Sequence, residues 1–145
     1  MTTPIPSPPS SPAHVERIMG RCVHFTGVQH DVCHAGVRYA DVRGTTTRPF
    51  GLPCIQQYAN GATCSKAQWP TRDEAEAEEA QFQAAYARIR TCLKAITEKH
   101  GTARGVVDVM SCPTGCGGTL RYSIASYNGH IHGQCSTKGC ATWMQ

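Results

Sequence analysis

The sequence lacks any apolar run close to the roughly 20 residues that a membrane-spanning helix requires, so no membrane partner is expected. It also lacks an N-terminal charged and apolar stretch with a cleavage site, the pattern that sends a chain to an oxidising compartment. We therefore expect a cytoplasmic protein. In that reducing environment, cysteines serve as metal ligands more readily than as disulfides.

Strong charge of one sign is also missing. The net charge is +4, which suits weak attraction to a polyanion but falls short of the dense positive charge of a dedicated nucleic-acid binder. The positive excess lies in residues 13–70 and 101–145, whereas residues 71–100 are slightly acidic. Charge alone therefore leaves both nucleic acids and proteins open as partners.

The motifs of common enzymes are missing as well. There is no Ser/His/Asp order, no phosphate-binding glycine loop and no His-Glu-x-x-His. If the cysteines of the chain bind zinc in sets of four, the ion also lacks the free coordination position that catalysis requires. The nearest approach to a catalytic site is Asp31 and Asp41 among several histidines, and we expect the protein not to be an enzyme.

Cysteine, in contrast, is abundant, with nine residues in a chain of 145. An odd number fits eight ligands for two metal ions and one packed thiol better than it fits a set of disulfides. A chain of this length forms one ordinary domain or two small modules, and small modules need a stabilising element beyond their apolar core. Metal ions bound by cysteines would supply that element.

The N-terminal half divides into a tail and an irregular module. Residues 1–12 hold five of the nine prolines among serines and threonines, a composition that predicts a disordered tail. Residues 13–70 contain four cysteines, and glycines and prolines interrupt every periodic run. Short strands and loops around a metal ion are therefore expected there.

Residues 71–100 carry the signals of one long helix. Thr71 and Glu74 form a capping box, acidic residues crowd the first turns, basic residues follow, and Gly101 ends the pattern. Apolar residues recur every three or four positions and predict one stripe along the helix. The stripe consists of Phe82, Tyr86, Ile89, Leu93 and Ile96, widened by Ala85 and Cys92.

Such a stripe must be covered. It predicts packing either against the flanking modules or against a second chain, which would give a homodimer through residues 75–96. Packing within the chain is the favoured interpretation. Cys92 belongs to the stripe and is interpreted as a buried apolar residue rather than as a ninth metal ligand.

Residues 101–145 predict an antiparallel hairpin that carries a metal site. Apolar and polar residues alternate over 120–127, and the following Asn128 and Gly129 are a strong hairpin signal. Cysteines flank this hairpin in two pairs, with three, eighteen and four residues between successive members. Paired thiolates suit a tetrahedral structural zinc. The predicted ligands are Cys112, Cys116, Cys135 and Cys140.

The hairpin also predicts two faces. A two-residue turn would pair Tyr127 with His130. It would also pair Ser126 with Ile131, and so place Ile131 on the apolar face. That apolar face consists of Leu120, Tyr122, Ile124 and Ile131. The opposite face is either an ordinary solvated surface or a basic and aromatic surface for nucleic acid, whose candidate residues are Arg121, Tyr127, His130 and His132.

The end of this hairpin resembles two families of zinc proteins. The run His132-Gly-Gln-Cys135-Ser-Thr-Lys-Gly-Cys140-Ala-Thr-Trp143 resembles the second knuckle of the Ogr/Delta family, the zinc-binding late-transcription activators of temperate phages. It is also similar to the four-cysteine fingers at the C-terminus of bacterial type I topoisomerases. The resemblance covers about residues 112–143 and implies zinc as cofactor and nucleic acid or the transcription machinery as partner.

Four further cysteines lie in the N-terminal module without forming a tight knuckle. They are Cys22, Cys33, Cys54 and Cys64, separated by ten, twenty and nine residues. They suffice for a second metal if the fold gathers them, with zinc favoured over an iron–sulfur cluster. His24, His30 and His34 are alternative ligands, although each is more readily interpreted as a surface or hydrogen-bonded histidine.

The stretch Cys22-Val-His-Phe-Thr-Gly, with the later Cys33 and Ala-Gly-Val, resembles small proteins of phages and prophages to which no activity is attached. That resemblance implies a setting rather than a function. If the chain is phage-encoded, the expected location is the cytoplasm of a bacterial host cell.

Together these observations predict an α+β protein with a small irregular cysteine-rich module, one long central helix and a C-terminal antiparallel zinc ribbon. Two bound zinc ions are expected. The predicted function is nucleic-acid-associated zinc binding in transcription regulation. The alternative is an adaptor or inhibitor that binds a host protein through the helix stripe or the ribbon edge, and binding that is insensitive to salt would distinguish it.

Overall fold

A computed structural model of the chain describes residues 12–44 and 51–144. They form two compact units, one within Pro9–Ala80 and the other within Gln81–Gln145, so the boundary lies inside the longest helix. The predicted disordered tail, residues 1–12, lies outside the described residues except for Pro12. One long helix and a four-stranded antiparallel sheet confirm the α+β class.

The first unit begins with a helix that sequence reasoning missed. Helix α1 spans Pro12–Met19, and proline suits its first turn because the N–H that it lacks has no partner there in any helix. Val15 and Ile18 are buried and pack with Ala75. The signal was present, since Val15, Ile18 and Met19 follow the spacing of one helical face.

Charged side chains accompany this small core. The side chain of Glu79 is fully buried and binds the ring of His14, which gives a buried carboxylate the partner that it needs. On the surface, Arg72 Nη2 lies 2.7 Å from Glu16 Oε1. The exposed pair contributes little stability, whereas the part-buried pair of His14 and Glu79 connects α1 to the long helix.

The rest of the first unit has little regular secondary structure. Helix α2 spans only Tyr39–Val42. A 3₁₀ turn spans Gln56–Tyr58, and single bridges join Arg21 to Ile55 and Val32 to Arg38. Within the described part of this unit, single bridges thus replace the short strands that the sequence predicts. Turns with glycine or proline interrupt the pairing before a ladder can extend.

Helix α3 spans Arg72–His100 and confirms the long helix. Its capping box is reciprocal: the Thr71 N–H donates to Glu74 Oε2 at 2.7 Å, and the Glu74 N–H donates to Thr71 Oγ1 at 3.3 Å. Gly101 ends the helix with a φ of 58°, and its N–H donates to the Thr97 carbonyl at 2.8 Å. The capping signals in the sequence therefore mark the helix ends correctly.

The second unit contains a four-stranded antiparallel sheet whose strands follow one another in chain order. The strands are β1 at Val106–Ser111, β2 at Thr119–Ile124, β3 at Ile131–Cys135 and β4 at Thr142–Trp143. Strand β4 was not predicted, because two residues are too few for a period to show. Its Trp143 lies opposite Gly133 of β3.

The connection between β2 and β3 differs from the prediction. Ile131 pairs with Ile124 instead of Ser126, so the predicted register is wrong by two residues. The His130 N–H donates to Asn128 Oδ1 at 3.0 Å, and this bond stabilises a longer loop than the predicted two-residue turn. Because strand side chains alternate with a period of two, Ile131 still lies on the predicted face.

The inner face of the sheet packs against the C-terminal part of α3. The helix contributes the C-terminal part of its apolar stripe, namely Ile89, Cys92, Leu93 and Ile96. The sheet contributes Leu120, Tyr122, Ile124, Ile131 and Trp143. Packing within the chain is thereby confirmed for this part of the stripe. Phe82 and Tyr86, about two turns and one turn before Ile89, are 53% and 46% exposed.

The long helix is not a membrane span. No helix within residues 12–44 and 51–144 combines the length and the apolar character needed to cross a bilayer. Helix α3 has the length but carries charged residues along most of its turns.

Candidate functional site

Four cysteines meet where the β1–β2 and β3–β4 loops come together. All four sulfur atoms lie within 4.8 Å of one another. The Sγ atoms of Cys112 and Cys140 are 3.7 Å apart, and those of Cys116 and Cys135 are 3.5 Å apart. A tetrahedral zinc with bonds of about 2.3 Å separates its sulfur ligands by about 3.8 Å, whereas a disulfide holds them at about 2.05 Å. The donor set and its spacing therefore fit a metal ion.

Two loops of the same kind present these cysteines. In the first, the Cys112 N–H donates to the Gly118 carbonyl at 2.8 Å. In the second, the Cys135 N–H donates to the Ala141 carbonyl, also at 2.8 Å. Each loop begins with one cysteine and holds another inside it, so the pairing of β2 with β3 is enough to assemble the set of four.

Backbone amides point at two of the sulfurs. The Gly118 N–H donates to Cys116 Sγ and the Thr137 N–H donates to Cys135 Sγ, both at 3.4 Å. The Thr137 hydroxyl, followed by the Gly118 amide, lowers the pKa of Cys116 to about 5. Such donors favour the thiolate, which is the form of cysteine that binds a metal.

A threonine hydroxyl bridges the other two sulfurs. Thr114 Oγ1 lies 3.2 Å from Cys112 Sγ and 3.1 Å from Cys140 Sγ. One threonine in the first loop therefore contacts a cysteine of each loop. Cys112 and Cys140 are buried, and of the four ribbon cysteines Cys116 alone is exposed.

Helix α3 supports the centre through two residues that sequence reasoning did not assign to it. Arg88 Nε donates to the Cys140 carbonyl at 2.6 Å, and its Nη2 donates to the Gly139 carbonyl at 3.3 Å. Cys92 is fully buried beside Cys112. Burial, followed by that neighbouring thiol, raises the pKa of Cys92 to about 12 and keeps it protonated. The burial of Cys92 confirms the prediction from the apolar stripe, whereas its position beside the ribbon cysteines was not predicted.

The sheet surface turned away from α3, called the outer face below, carries two of the four predicted binding residues, Arg121 and His132. Its strand residues are Val107, Val109, Ser111, Thr119, Arg121, Ser123, His132, Gln134 and Thr142. Arg121 lies opposite Gln134, and Ser123 lies opposite His132, so Arg121 and His132 are diagonal neighbours. No carboxylate belongs to this set.

The remaining two predicted residues lie at the β2–β3 loop. His130 is exposed and directly precedes strand β3, two residues before His132. Tyr127 is 92% exposed within the loop, and its predicted pairing with His130 does not form. The Tyr127 carbonyl accepts a hydrogen bond from Arg104 at 2.8 Å, which brings a further cation to this loop.

The N-terminal cysteines are close to one another but less tightly grouped. Cys22, Cys33 and Cys54 are buried in one cluster. Cys64 lies near that cluster and is partly exposed. Among the described residues, only the ribbon group places three or more ligand atoms within 4.8 Å of one another. Burial, followed by the proximity of the other three thiols, raises the pKa of Cys54 to about 11.

The histidines near these thiols are more accessible than the cysteines. His24 is half-buried, and His30 and His34 are exposed. The His34 N–H donates to the His24 carbonyl at 2.9 Å, so the two residues are joined through their backbone. Burial therefore favours the thiols over the imidazoles as candidate ligands.

Comparisons with protein-family models, with curated proteins and with solved structures find no match to this chain. The resemblance of residues 112–143 to phage activators and topoisomerase fingers therefore stays a prediction. The candidate metal centre stands on the geometry of the ribbon itself.

Proposed function

We propose that the C-terminal unit is a zinc ribbon that binds nucleic acid through its outer face, and that the protein acts in transcription regulation. The observation that carries the proposal is the outer face itself. Its strand residues include no carboxylate, and Arg121 and His132 are diagonal neighbours on it, with His130 and the exposed Tyr127 in the adjoining β2–β3 loop. Cations attract phosphates, and aromatic rings stack on unpaired bases.

The distribution of charge between the two units supports this choice. Residues 81–145 contain seven lysines and arginines but only two acidic residues. Both acidic residues form ion pairs. Asp108 Oδ2 lies 2.8 Å from Lys99 Nζ, and Glu98 Oε1 lies 3.8 Å from Lys94 Nζ. The positive excess of the whole chain thus resides in this unit, and its basic outer face is not neutralised by carboxylates.

The role of zinc in this proposal is structural. Four thiolates complete a tetrahedron and leave no open position for a substrate or water. The metal would hold the two loops together and so fix the register of β2 against β3. The outer face depends on that register, because it sets Arg121 and His132 side by side.

The resemblance to the Ogr/Delta activators and to topoisomerase fingers supports the biological setting. Both families act on nucleic acid or on the transcription machinery. We accordingly propose a phage-type protein that works in the cytoplasm of a bacterial host cell. The centre fits zinc in particular, because zinc favours tetrahedral thiolate sites in reducing compartments.

The test is fluorescence anisotropy of labelled single-stranded DNA, duplex DNA and RNA with the full chain over a range of salt concentrations. We expect affinity to fall as salt rises, with single strands bound more tightly because their bases can reach Tyr127. Arg121→Ala should weaken binding and reduce the slope of log affinity against log salt by about one.

The matched control is Arg90→Ala, which removes the same charge from an exposed position on α3. It should leave the salt slope unchanged, because α3 packs on the opposite side of the sheet from the outer face. Equal losses in Arg121→Ala and Arg90→Ala would show that net charge alone governs binding and would contradict a defined surface.

Exposed apolar residues favour a second candidate, an adaptor that binds a protein. The rings of Phe82 and Tyr86 stack at 6.3 Å on α3, and Val107 and Val109 are 86% and 52% exposed on edge strand β1. The partner would be a host protein or a second copy of the chain through residues 75–96. Absence of salt-sensitive nucleic-acid binding in the same experiment would favour this second candidate over nucleic-acid binding.

A further inference from the structure

We infer that Cys22, Cys33, Cys54 and Cys64 form a second tetrathiolate zinc site, which holds the N-terminal unit together. The inference is independent of nucleic-acid binding and of the ribbon centre. It starts from the composition of the core. Among the described residues, five buried residues form the cluster, and three of them are cysteines. The other two are Tyr39 and Leu52, and the partly buried Phe25, Ala35 and Val37 pack against them.

That cluster is too small to stabilise the loops around it by apolar burial alone. Helix α2 has four residues, the 3₁₀ turn has three, and the remaining contacts are single bridges and loops. Small folds with so little apolar core are usually completed by disulfides or by a metal. All of the cysteines are free thiols, so a metal ion is the remaining cross-link.

Tight turns present these thiols in the way that the ribbon presents its own. The carbonyls of Cys22, Cys33 and Cys64 each accept a hydrogen bond from the amide three residues later. These bonds measure 3.0, 2.9 and 3.1 Å. Cys112 of the ribbon begins the same kind of turn, with a bond of 3.3 Å to the amide of Gly115.

An amide also points at one of the N-terminal sulfurs. The Gln68 N–H donates to Cys22 Sγ at 3.4 Å, the distance found for both amide-to-sulfur bonds of the ribbon. Gln68 follows Cys64 by four residues, and its carbonyl accepts from the Val23 N–H at 2.9 Å. An amide that follows the Cys64 turn therefore already contacts the sulfur of Cys22.

Backbone hydrogen bonds tie the other two cysteine segments to Cys22 as well. The Cys22 N–H donates to the Cys54 carbonyl at 2.7 Å. The His34 N–H, next to Cys33, donates to the His24 carbonyl at 2.9 Å. The segments of Cys33, Cys54 and Cys64 are thus each anchored to residues 22–24. Their sulfurs are spread more widely than those of the ribbon, and binding of a divalent ion would draw them into one tetrahedron.

The chemistry of the set selects zinc as the occupant. Four thiolates carry enough negative charge to require a thiophilic cation, and hard ions such as Mg²⁺ prefer oxygen donors. The exposed imidazoles of His30 and His34 lie outside the buried thiol cluster. A closed set of four thiolates implies a structural ion rather than a catalytic one.

The experiment counts metal ions on the full chain, reconstituted with excess zinc under reducing conditions, by native mass spectrometry and elemental analysis. We expect two zinc ions in the wild type and one in C22S/C54S. The ribbon variant C135S/C140S should also hold one. The control C92S removes a buried cysteine that is not a ligand and should keep two.

A second measurement covers the case in which C22S/C54S does not fold. C135S/C140S, which retains the N-terminal thiols, is titrated with Co²⁺. We expect one equivalent to produce the intense thiolate-to-cobalt absorption of a tetrahedral site. A single zinc in the wild type, two zinc ions in C22S/C54S, or no cobalt signal in C135S/C140S would each overturn the inference, and so would bound iron in place of zinc.

Discussion

Gly133 and Trp143 face each other across strands β3 and β4 with no room for another atom. A Cβ at position 133 would lie 2.2 Å from Cη2 of the Trp143 ring, closer than any real contact. Trp143 is buried at 9% exposure, so its ring has little freedom to move away. Glycine is therefore required at this position for packing, while its backbone is outside the left-handed region.

We predict that Gly133→Ala destabilises the second unit by about 1–3 kcal/mol, because the added methyl group forces a rigid ring out of its site. Urea denaturation followed by circular dichroism measures the change. Gly20→Ala is the matched control, since its nearest contact would be an ordinary 3.4 Å. An unchanged unfolding midpoint in Gly133→Ala would show that Trp143 shifts without cost.

At the residue scale, sequence spacing predicts the candidate metal ligands better than it predicts the residues that hold the ligand loops in place. The ribbon cysteines were predicted because paired thiols at the ends of a hairpin are typical of a structural metal site. Arg88 was missed because its carbonyl partners, Gly139 and Cys140, lie about fifty residues later and meet it only through packing of helix on sheet. The burial of Cys92 was predicted correctly because it follows from the helical period alone.

Among the elements, the end of α3 is fastened to the sheet by a charged cluster. Lys99 Nζ lies 2.8 Å from Asp108 Oδ2, and the Tyr122 hydroxyl donates to the same oxygen at 3.1 Å. His100 Nε2 is 2.8 Å from the Tyr122 hydroxyl. The hydrogen bond from Lys99, then the Val109 amide and Tyr122, lowers the pKa of Asp108 from 3.8 to about 2.

A depressed carboxyl pKa sets the direction of a pH effect. Since Asp108 has a lower pKa in the folded chain, its contribution to stability is present above about pH 4 and is lost as pH falls through about 2. We predict that Asp108→Asn is less stable than wild type at neutral pH. The gap between their melting temperatures should narrow below about pH 4.

Both proteins contain the same cysteines, so acid release of a thiolate-bound metal affects each alike and the comparison isolates Asp108. Differential scanning fluorimetry across acidic and neutral pH provides the melting temperatures. A gap that stays constant down to about pH 2 would contradict the assigned role of this carboxylate.

The elements differ in how well their sequences predict them. Helix α3 was predicted because its capping box, charges and terminal glycine all agree. The β2–β3 register was wrong because Asn128 binds the His130 amide with its side chain, an option that the dipeptide Asn-Gly does not exclude. Val107 and Val109 of β1 point outward while Asp108 faces α3, since Lys99 and Tyr122 provide its partners there.

At the scale of the whole molecule, apolar burial within residues 12–44 and 51–144 is divided among three small clusters. The largest contains buried ribbon cysteines, and the second contains three N-terminal cysteines. Under the proposal of two zinc sites, removing metal would therefore weaken both units at the point where each has most of its buried residues. Helix α3, with 29 residues and satisfied ends, depends least on that support.

We predict that a zinc chelator lowers the melting temperature and abolishes the near-ultraviolet circular dichroism of Trp143, while part of the helical signal survives. Restoring zinc to about 1,000 times its dissociation constant should return about 4 kcal/mol of stability. Magnesium serves as the control ion and should restore nothing, because it prefers oxygen ligands. Chelation without change in the melting temperature would argue against metal as a structural element.

For the whole molecule, the sequence predicts which modules are present more fully than it predicts how they divide into compact units. Two cysteine-rich modules and a helix between them follow from spacing and period, and the α+β class is confirmed. The division into compact units within helix α3 was not predicted, because it depends on which turns of one continuous helix each core contacts. Ala75 packs with α1, whereas Cys92 and Ile96 pack with the sheet.

The exposure of Cys116 has a kinetic consequence for the metal centre. The other three ribbon cysteines are buried, so Cys116 is the most accessible of the four sulfur donors. Exchange of a bound ion with a competing thiol would therefore be expected to begin by displacement of this sulfur. All four metal–sulfur bonds would determine the affinity for the ion, whereas the bond to Cys116 would determine how quickly the ion exchanges.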